Sequence, residues 1–203
     1  MEAGGGVRQA VAAAGGSVVQ PLSTSETATD FGDLLAAVKA QQADVLYFGG
    51  VSQQAGPLLA QMKRAGIGAR FMGGDGLCQD NMVSRWAGVT VAEGEVVCAS
   101  PGGVEGLTDP DIASFQAGYQ RRFGAKARHY GPYAYDAVRV LADAIVRAGS
   151  PEPAKTLPAL AQTRAYPGVT GPISFDDRGD VQNAALSIHT YKGSTKSLVE
   201  VAR

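Results

Sequence analysis

The sequence predicts an α/β protein built on a doubly wound parallel sheet. Two observations carry that expectation. Residues 30–73 alternate between helix-period and strand-like runs joined by short connections, as crossover units of a parallel sheet do. Two of the strand-like runs also end alike, in paired glycines: Phe48-Gly49-Gly50 and Met72-Gly73-Gly74.

The elements follow in order. Residues 7–14 are helix-like, and GSVVQPL at 16–22 reads as a strand that extends the alternation upstream. Asp30 precedes Phe31, Leu34, Leu35 and Val38, the spacing of one helix face. Asp30 is a natural N-cap, and Asp33 places negative charge in the first turn, where the helix dipole favours it. Val45 to Phe48 is a continuous apolar run, as expected of a parallel strand covered on both faces. Ala55, Leu58, Leu59 and Met62 repeat the helical spacing, and Lys63, Arg64, Gly66 and Gly68 form a stop signal. ARFMGG at 69–74 is the next strand.

Beyond EGEVVCASP at 93–101 the texture changes. A Gly-rich loop at 101–109 leads to Pro110 at a helix start. Ile112, Phe115, Tyr119 and Phe123 mark that helix, which Gly124 closes. A longer helix spans about 132–148, with Val138, Leu141, Ala142 and Ile145 inward and Gly149 at its end. Residues 151–163 suggest a short helix. ISF at 173–175 and LSIHTY at 186–191 read as strands, and DDRGD at 176–180 as the turn between them.

Composition narrows the function. The chain has 203 residues, 45% hydrophobic and 18% charged, enough apolar content for a core. A net charge of −1 lacks the basic footprint of a nucleic-acid binder, so none is expected as a partner. No apolar run approaches a membrane span. Residues 1–16 show no basic stretch followed by an apolar core, so no signal peptide is expected. Cys78 and Cys98 fit no metal-ligand spacing, and only His129 and His189 could supplement them. Ordinary half-buried thiols are the expectation, with a disulfide left open, since spacing alone cannot decide it.

Catalytic chemistry finds little support. No Walker loop, dinucleotide fingerprint or nucleophile elbow is present. His189 alternates with Ile188 and Tyr191 and reads as a surface or edge residue; His129 reads as part of a loop before a helix. Asp176 and Asp177 belong to a turn, Asp136 to a polar helix face or cap, and Tyr130, Tyr133 and Tyr135 to packing. An enzyme is not expected, nor are a cofactor and a metal. Asp75, in FMGGDG at 71–76, stands apart. One reading makes it a turn or cap residue. The other makes it a carboxylate that receives a ligand ammonium, because ligands of open parallel sheets bind outside the carboxyl ends of the strands. On that second reading the glycines make room and Asp75 supplies charge.

TDFGDLLAAVKAQQADVLYFGG, ARFMGGDG, AEGEVV, YAYDAVRVLADAIVRAG and VTGPISFDDRGD, in that order, resemble the periplasmic leucine/isoleucine/valine-binding protein family of ABC importers. The resemblance runs over essentially the whole chain. It implies a type I periplasmic binding fold: a Rossmann-like lobe plus the helices of an incomplete second lobe. Such a protein closes like a hinge on a free amino acid in an interlobe cleft and delivers it to a membrane permease. It is not an enzyme, needs no cofactor, and is periplasmic. The resemblance makes Asp75 the partner of the ligand ammonium, with Gly50, Val51, Ser52 and Gly74 beside it. Val51 stands where the family often has an aromatic residue. Cys78 and Cys98 do not correspond to the family's common disulfide.

The resemblance also divides the chain. Residues 1–98 with 176–203 correspond to the C-terminal lobe, and 99–175 to a returning, mostly helical part of the other lobe. Family members are much longer, and the parts that hold the ligand carboxylate are not matched. Phe115, Tyr119, Val138, Leu141 and Ile145 would then expose an apolar patch, so a homodimer or a missing-lobe partner chain is expected. The alternatives are a truncated, non-binding remnant that self-associates and a sensory domain of the same fold. Branched-chain amino acids are the default ligand class that the resemblance implies.

Overall fold

The computed structural model describes residues 4–19, 21–79, 82, 86, 88–102 and 110–202. The chain divides into two compact units: Met1–Ser100 with Ser187–Glu200, and Pro101–Leu186 with Val201–Arg203. Residues 176–186 thus group with the second unit, whereas the sequence division places them with the first.

The first unit runs through α1 (Gly4–Ala13), α2 (Gly32–Ala40), β1 (Val45–Phe48), α3 (Ser52–Arg64), β2 (Arg70–Gly73), a 3-10 turn (Asp75–Leu77) and β3 (Val96–Pro101). β6 (Leu186–Lys192) and β7 (Thr195–Ala202) complete a five-stranded sheet in the order β1-β2-β3-β6-β7. β1 and β2 are parallel, with Phe48 opposite Gly73, and β2 and β3 are parallel, with Gly73 opposite Cys98. The result is a mixed α/β fold on a mostly parallel central sheet.

Helical periodicity explains the core. Leu58, Leu59 and Met62 of α3 bury against Phe71 of β2, Val96 of β3 and Tyr191 of β6. Phe31 and Leu35 close the same cluster from the α2 side. Gln61 ties the two helices at their polar margin: its Oε1 accepts the Phe31 amide at 2.8 Å and its Nε2 donates to the Thr29 carbonyl at 2.8 Å. Gly66, at φ +67°, takes the left-handed conformation that ends α3.

Three sequence expectations change here. Residues 16–22 form no strand among the described residues, and Val18, Val19 and Leu22 are exposed. Pro21 has no N–H to give a ladder. Among the described residues β1 is the edge strand of its sheet, and it is not covered on both faces: Val45 and Tyr47 are exposed, 42% and 39%. Phe31, not Asp30, occupies the N-cap of α2, and the Asp30 carboxylate instead accepts the Gly32 amide at 3.0 Å, one residue further in.

The second unit holds α4 (Pro110–Phe123), α5 (Gly131–Ala148), α6 (Pro153–Ala161) and an antiparallel hairpin of β4 (Tyr166–Gly168) and β5 (Gly171–Ile173). Pro110, Gly124 and Gly149 bound their helices as expected; Gly124 and Gly149 take positive φ. The inward face of α5 is not the one its hydrophobicity suggests. Pro132, Asp136, Val140 and Ala144 are buried, while Val138 is 68% and Leu141 45% exposed. Asp136, expected on a polar face or at a cap, is 1% exposed. Its carboxylate accepts the amides of Val169 and Thr170 and the Thr170 hydroxyl at 2.9, 2.8 and 2.7 Å. A buried carboxylate thereby gains three donors and pins the β4–β5 turn to α5. ISF divides between β5 and a bridge from Phe175 to Val181 around the DDRGD turn. Among the described residues, no helix is long and apolar enough to cross a membrane.

Candidate ligand-binding site

β1 and β2 end side by side, and each continues through glycines. Gly49 and Gly50 lead into α3, whose N-cap, Val51, is extended. Gly74 leads into the Asp75–Leu77 turn. The glycines serve the contact between these two turns. A Cβ on Gly76 would overlap the Gly50 carbonyl, and one on Gly50 would strike the Phe48 ring. A Cβ on Gly73 would lie 2.7 Å from the Phe48 carbonyl oxygen and 2.8 Å from Leu77. The room these three glycines leave is taken by protein, not kept for a ligand. Gly74 differs, its nearest neighbour being the Tyr47 hydroxyl at 3.9 Å.

A hollow of about 460 Å³ opens over this junction. Gly50, Val51, Ser52 and Asp75 line it, so four of the residues singled out in the sequence come together. Gly74 is not in the lining. Gln53, Gly76 and Gln79 are added to it; polar side chains at a helix start and just after a turn gave no sequence signal of their own. A larger hollow, about 540 Å³, lies at the opposite ends of β1 and β2, beside Lys39, Asp44 and Arg70. Ligands of open parallel sheets bind at the carboxyl ends, so the smaller hollow is the candidate.

Its chemistry is one exposed carboxylate facing the start of a helix. The Gln54 and Ala55 amides of α3 donate to the Val51 carbonyl at 3.1 and 3.0 Å; those of Ser52 and Gln53 precede the first intrahelical acceptor, and the N-cap, Val51, has no polar side chain to offer them. The Ser52 hydroxyl donates to Gln53 Oε1 at 3.3 Å, and Gln79 Nε2 donates to the Asp75 carbonyl at 3.2 Å. Carboxylate, hydroxyl and amide groups suit a small, polar, ammonium-bearing molecule.

The turn that carries Asp75 is held from behind. Leu77 is fully buried, and its carbonyl accepts the Tyr191 hydroxyl at 2.9 Å. Cys78 and Cys98 form a disulfide across Cα atoms 5.5 Å apart, which corrects the expectation of ordinary thiols. A separation of 20 residues could not reveal it, because the pairing depends on the turn folding back over β3. His189 is also corrected. It lies on β6, between β3 and β7 in the sheet, 1% exposed, with Nδ1 3.8 Å from the Cys78 sulfur. Cys78, Cys98 and His189 place possible metal-ligating atoms within 4.8 Å of one another. With the sulfurs joined, no thiolate is on offer.

The fold is thus an open, mostly parallel α/β sheet with a polar hollow outside the carboxyl ends of its strands. The chain belongs to the periplasmic binding protein family, whose model matches residues 2–194. It is similar to an amino acid binding protein of Pseudomonas aeruginosa, 32% identical over 171 residues, covering 82% of this chain and 43% of that protein. It is also similar to a Leu/Ile/Val-binding protein homolog of Brucella suis, 33% identical over 151 residues, covering 74% of this chain and 39% of the relative. The chain thus spans less than half the length of these relatives. Among solved structures, a leucine-binding protein, LivK, of Thermotoga maritima superposes with a TM-score of 0.79 at 22% identity, over 95% of this chain and 53% of that one. The substrate-binding protein LivJ of Streptococcus pneumoniae, solved with isoleucine, superposes with a TM-score of 0.69 at 22% identity, over 92% and 51%. At these identities the structures speak for the fold.

Proposed function

We propose that the chain is the solute-binding component, or part of one, of an ABC-type importer and binds a free amino acid of the branched-chain class or similar. Asp75 receives the ligand ammonium, and Gly50, Val51 and Ser52 form the floor beside it. Gly74 frees the turn and keeps the approach to Asp75 open. The protein works outside the cytoplasm, hands its ligand to a membrane permease and performs no catalysis.

The observation that supports this reading best is the convergence of Asp75 and the first turn of α3 in one hollow outside the strand ends. The family membership gives it context. Melting the purified chain against a panel of free amino acids tests it. A ligand at a hundred times its dissociation constant adds about 2.7 kcal/mol to the native state. A rise in Tm confined to one ligand class, and lost in Asp75→Ala, supports the reading; no rise with any amino acid rejects it for this chain.

A second reading is favoured by α5. Val138, Leu141 and Val146 are all exposed on it, and an uncovered apolar face of this kind favours association. On this reading a second copy, or further chain from the missing lobe, covers the face, and the chain alone self-associates without binding ligand. A mass in solution near 20.9 kDa rejects it.

A further inference from the structure

The 3-10 turn Asp75–Leu77 is too short to hold its own shape. It has two internal backbone bonds, Leu77 amide to Gly74 carbonyl and Cys78 amide to Asp75 carbonyl, both 3.0 Å, and no side chain caps its start. A single turn fixes more dihedral angles than its hydrogen bonds repay. Yet Asp75, the charged residue among the described lining of the hollow, sits on it in contact with solvent.

What fixes the turn comes from three strands behind it. β3 supplies Cys98, bonded to Cys78. β6 supplies Tyr191, whose hydroxyl donates to the Leu77 carbonyl and whose ring packs edge-on against Trp86, with centroids 5.0 Å apart. β7 supplies Lys196, whose ammonium donates to the Cys78 carbonyl at 3.2 Å. All three act within three residues of Asp75, and none of the three residues lines the hollow.

We propose that the Cys78–Cys98 disulfide and Tyr191 form a positioning frame for the Asp75 carboxylate, so that they set ligand affinity without touching the ligand. This rests on the reading of Asp75 as the ammonium partner. A carboxylate on a fixed turn is ordered before the ligand arrives; one on a loose turn must be ordered at the expense of binding. The disulfide is a constant brace and not a switch, because both sulfurs belong to residues buried in the core, out of reach of a reductant in the folded chain.

The test uses Tyr191→Phe, which removes one hydroxyl and keeps the ring on Trp86, and the pair Cys78→Ala with Cys98→Ala. Two readouts are taken on each: the dissociation constant for L-leucine, and amide hydrogen exchange at residues 74–79 with α3 as internal reference. The frame predicts exchange at 74–79 at least about fivefold faster in Tyr191→Phe, the effect of one net hydrogen bond, with α3 unchanged. It predicts a dissociation constant raised by about the same factor. Faster exchange with an unaltered dissociation constant overturns the link to affinity. Unaltered exchange in Tyr191→Phe overturns the frame. If the unsubstituted chain binds neither leucine nor any other free amino acid, the functional reading fails, and the exchange readout still decides whether the frame exists.

Discussion

Gly76 packs so closely on Gly50 that a Cβ at position 76 would overlap the Gly50 carbonyl oxygen. The two glycine turns are therefore one packed unit, and the Asp75 carboxylate is carried on its surface. Gly76→Ala is expected to cost about 1–3 kcal/mol, the range of overpacked sites, because backbone and not a flexible side chain must move. Gly74→Ala, two residues away, meets only the Tyr47 hydroxyl at an ordinary contact distance of 3.9 Å and is expected to stay within about 0.5 kcal/mol of the parent. Urea unfolding of both variants measures the contrast; equal costs contradict the packed junction.

Breaking the disulfide shows a separate effect on stability. Cys78 and Cys98 close a loop with a sequence separation of 20, so the bond restricts the unfolded chain. Replacing both with alanine is expected to lower stability by about 2–4 kcal/mol in denaturant unfolding. A loss below about 0.5 kcal/mol contradicts a bond formed in the native protein.

Asp136 does for the second unit what the disulfide does for the first. Asp136→Ala strands two amides and a hydroxyl at the β4–β5 turn. The expected loss is about 2–4 kcal/mol, since hydrogen bonds to a charged group are the stronger kind. Circular dichroism during urea unfolding reads it, and a loss as small as that of an exposed aspartate contradicts the burial.

The DDRGD turn has a pH signature. The backbone amides of Asp180 and Arg178 donate to the Asp176 carboxylate and, with the Arg178 charge, hold its pKa below the ordinary 3.8. A lowered carboxylate pKa favours the folded turn above the unfolded-state value; that contribution is lost as pH falls through the folded-state value. Carboxyl NMR titration is expected to place the Asp176 midpoint lower in the folded chain than in urea. Equal midpoints contradict the hydrogen bonds.

Much of this was legible in the sequence because it is periodic. Leu58, Leu59 and Met62 declare the buried face of α3, and the two Gly-Gly endings mark where β1 and β2 stop. Asp75 was visible because a lone charge among glycines is unusual. What escaped depends on partners remote in the chain. His189 shares its strand face with Tyr191 and Ser187, but only the neighbouring strands decide that this face is buried. α5 carries two candidate inward faces. The more apolar one, with Val138 and Leu141, lost to Pro132, Asp136, Val140 and Ala144, because Asp136 finds its three donors at the hairpin turn. β7 and the β4–β5 hairpin were missed for the same reason: short strands are defined by their pairing more than by their residues.

The central claim is that Asp75 holds the ammonium of a free amino acid. Calorimetric titration of L-leucine and of its des-amino counterpart, 4-methylpentanoate, into the unsubstituted chain and Asp75→Asn tests it most directly. The account predicts that leucine binds the unsubstituted chain and loses about 30-fold or more in Asp75→Asn, the effect of removing one partner from a charge pair. It predicts that 4-methylpentanoate binds weakly and equally to both. Equal leucine affinity in the two proteins would contradict the assignment of Asp75.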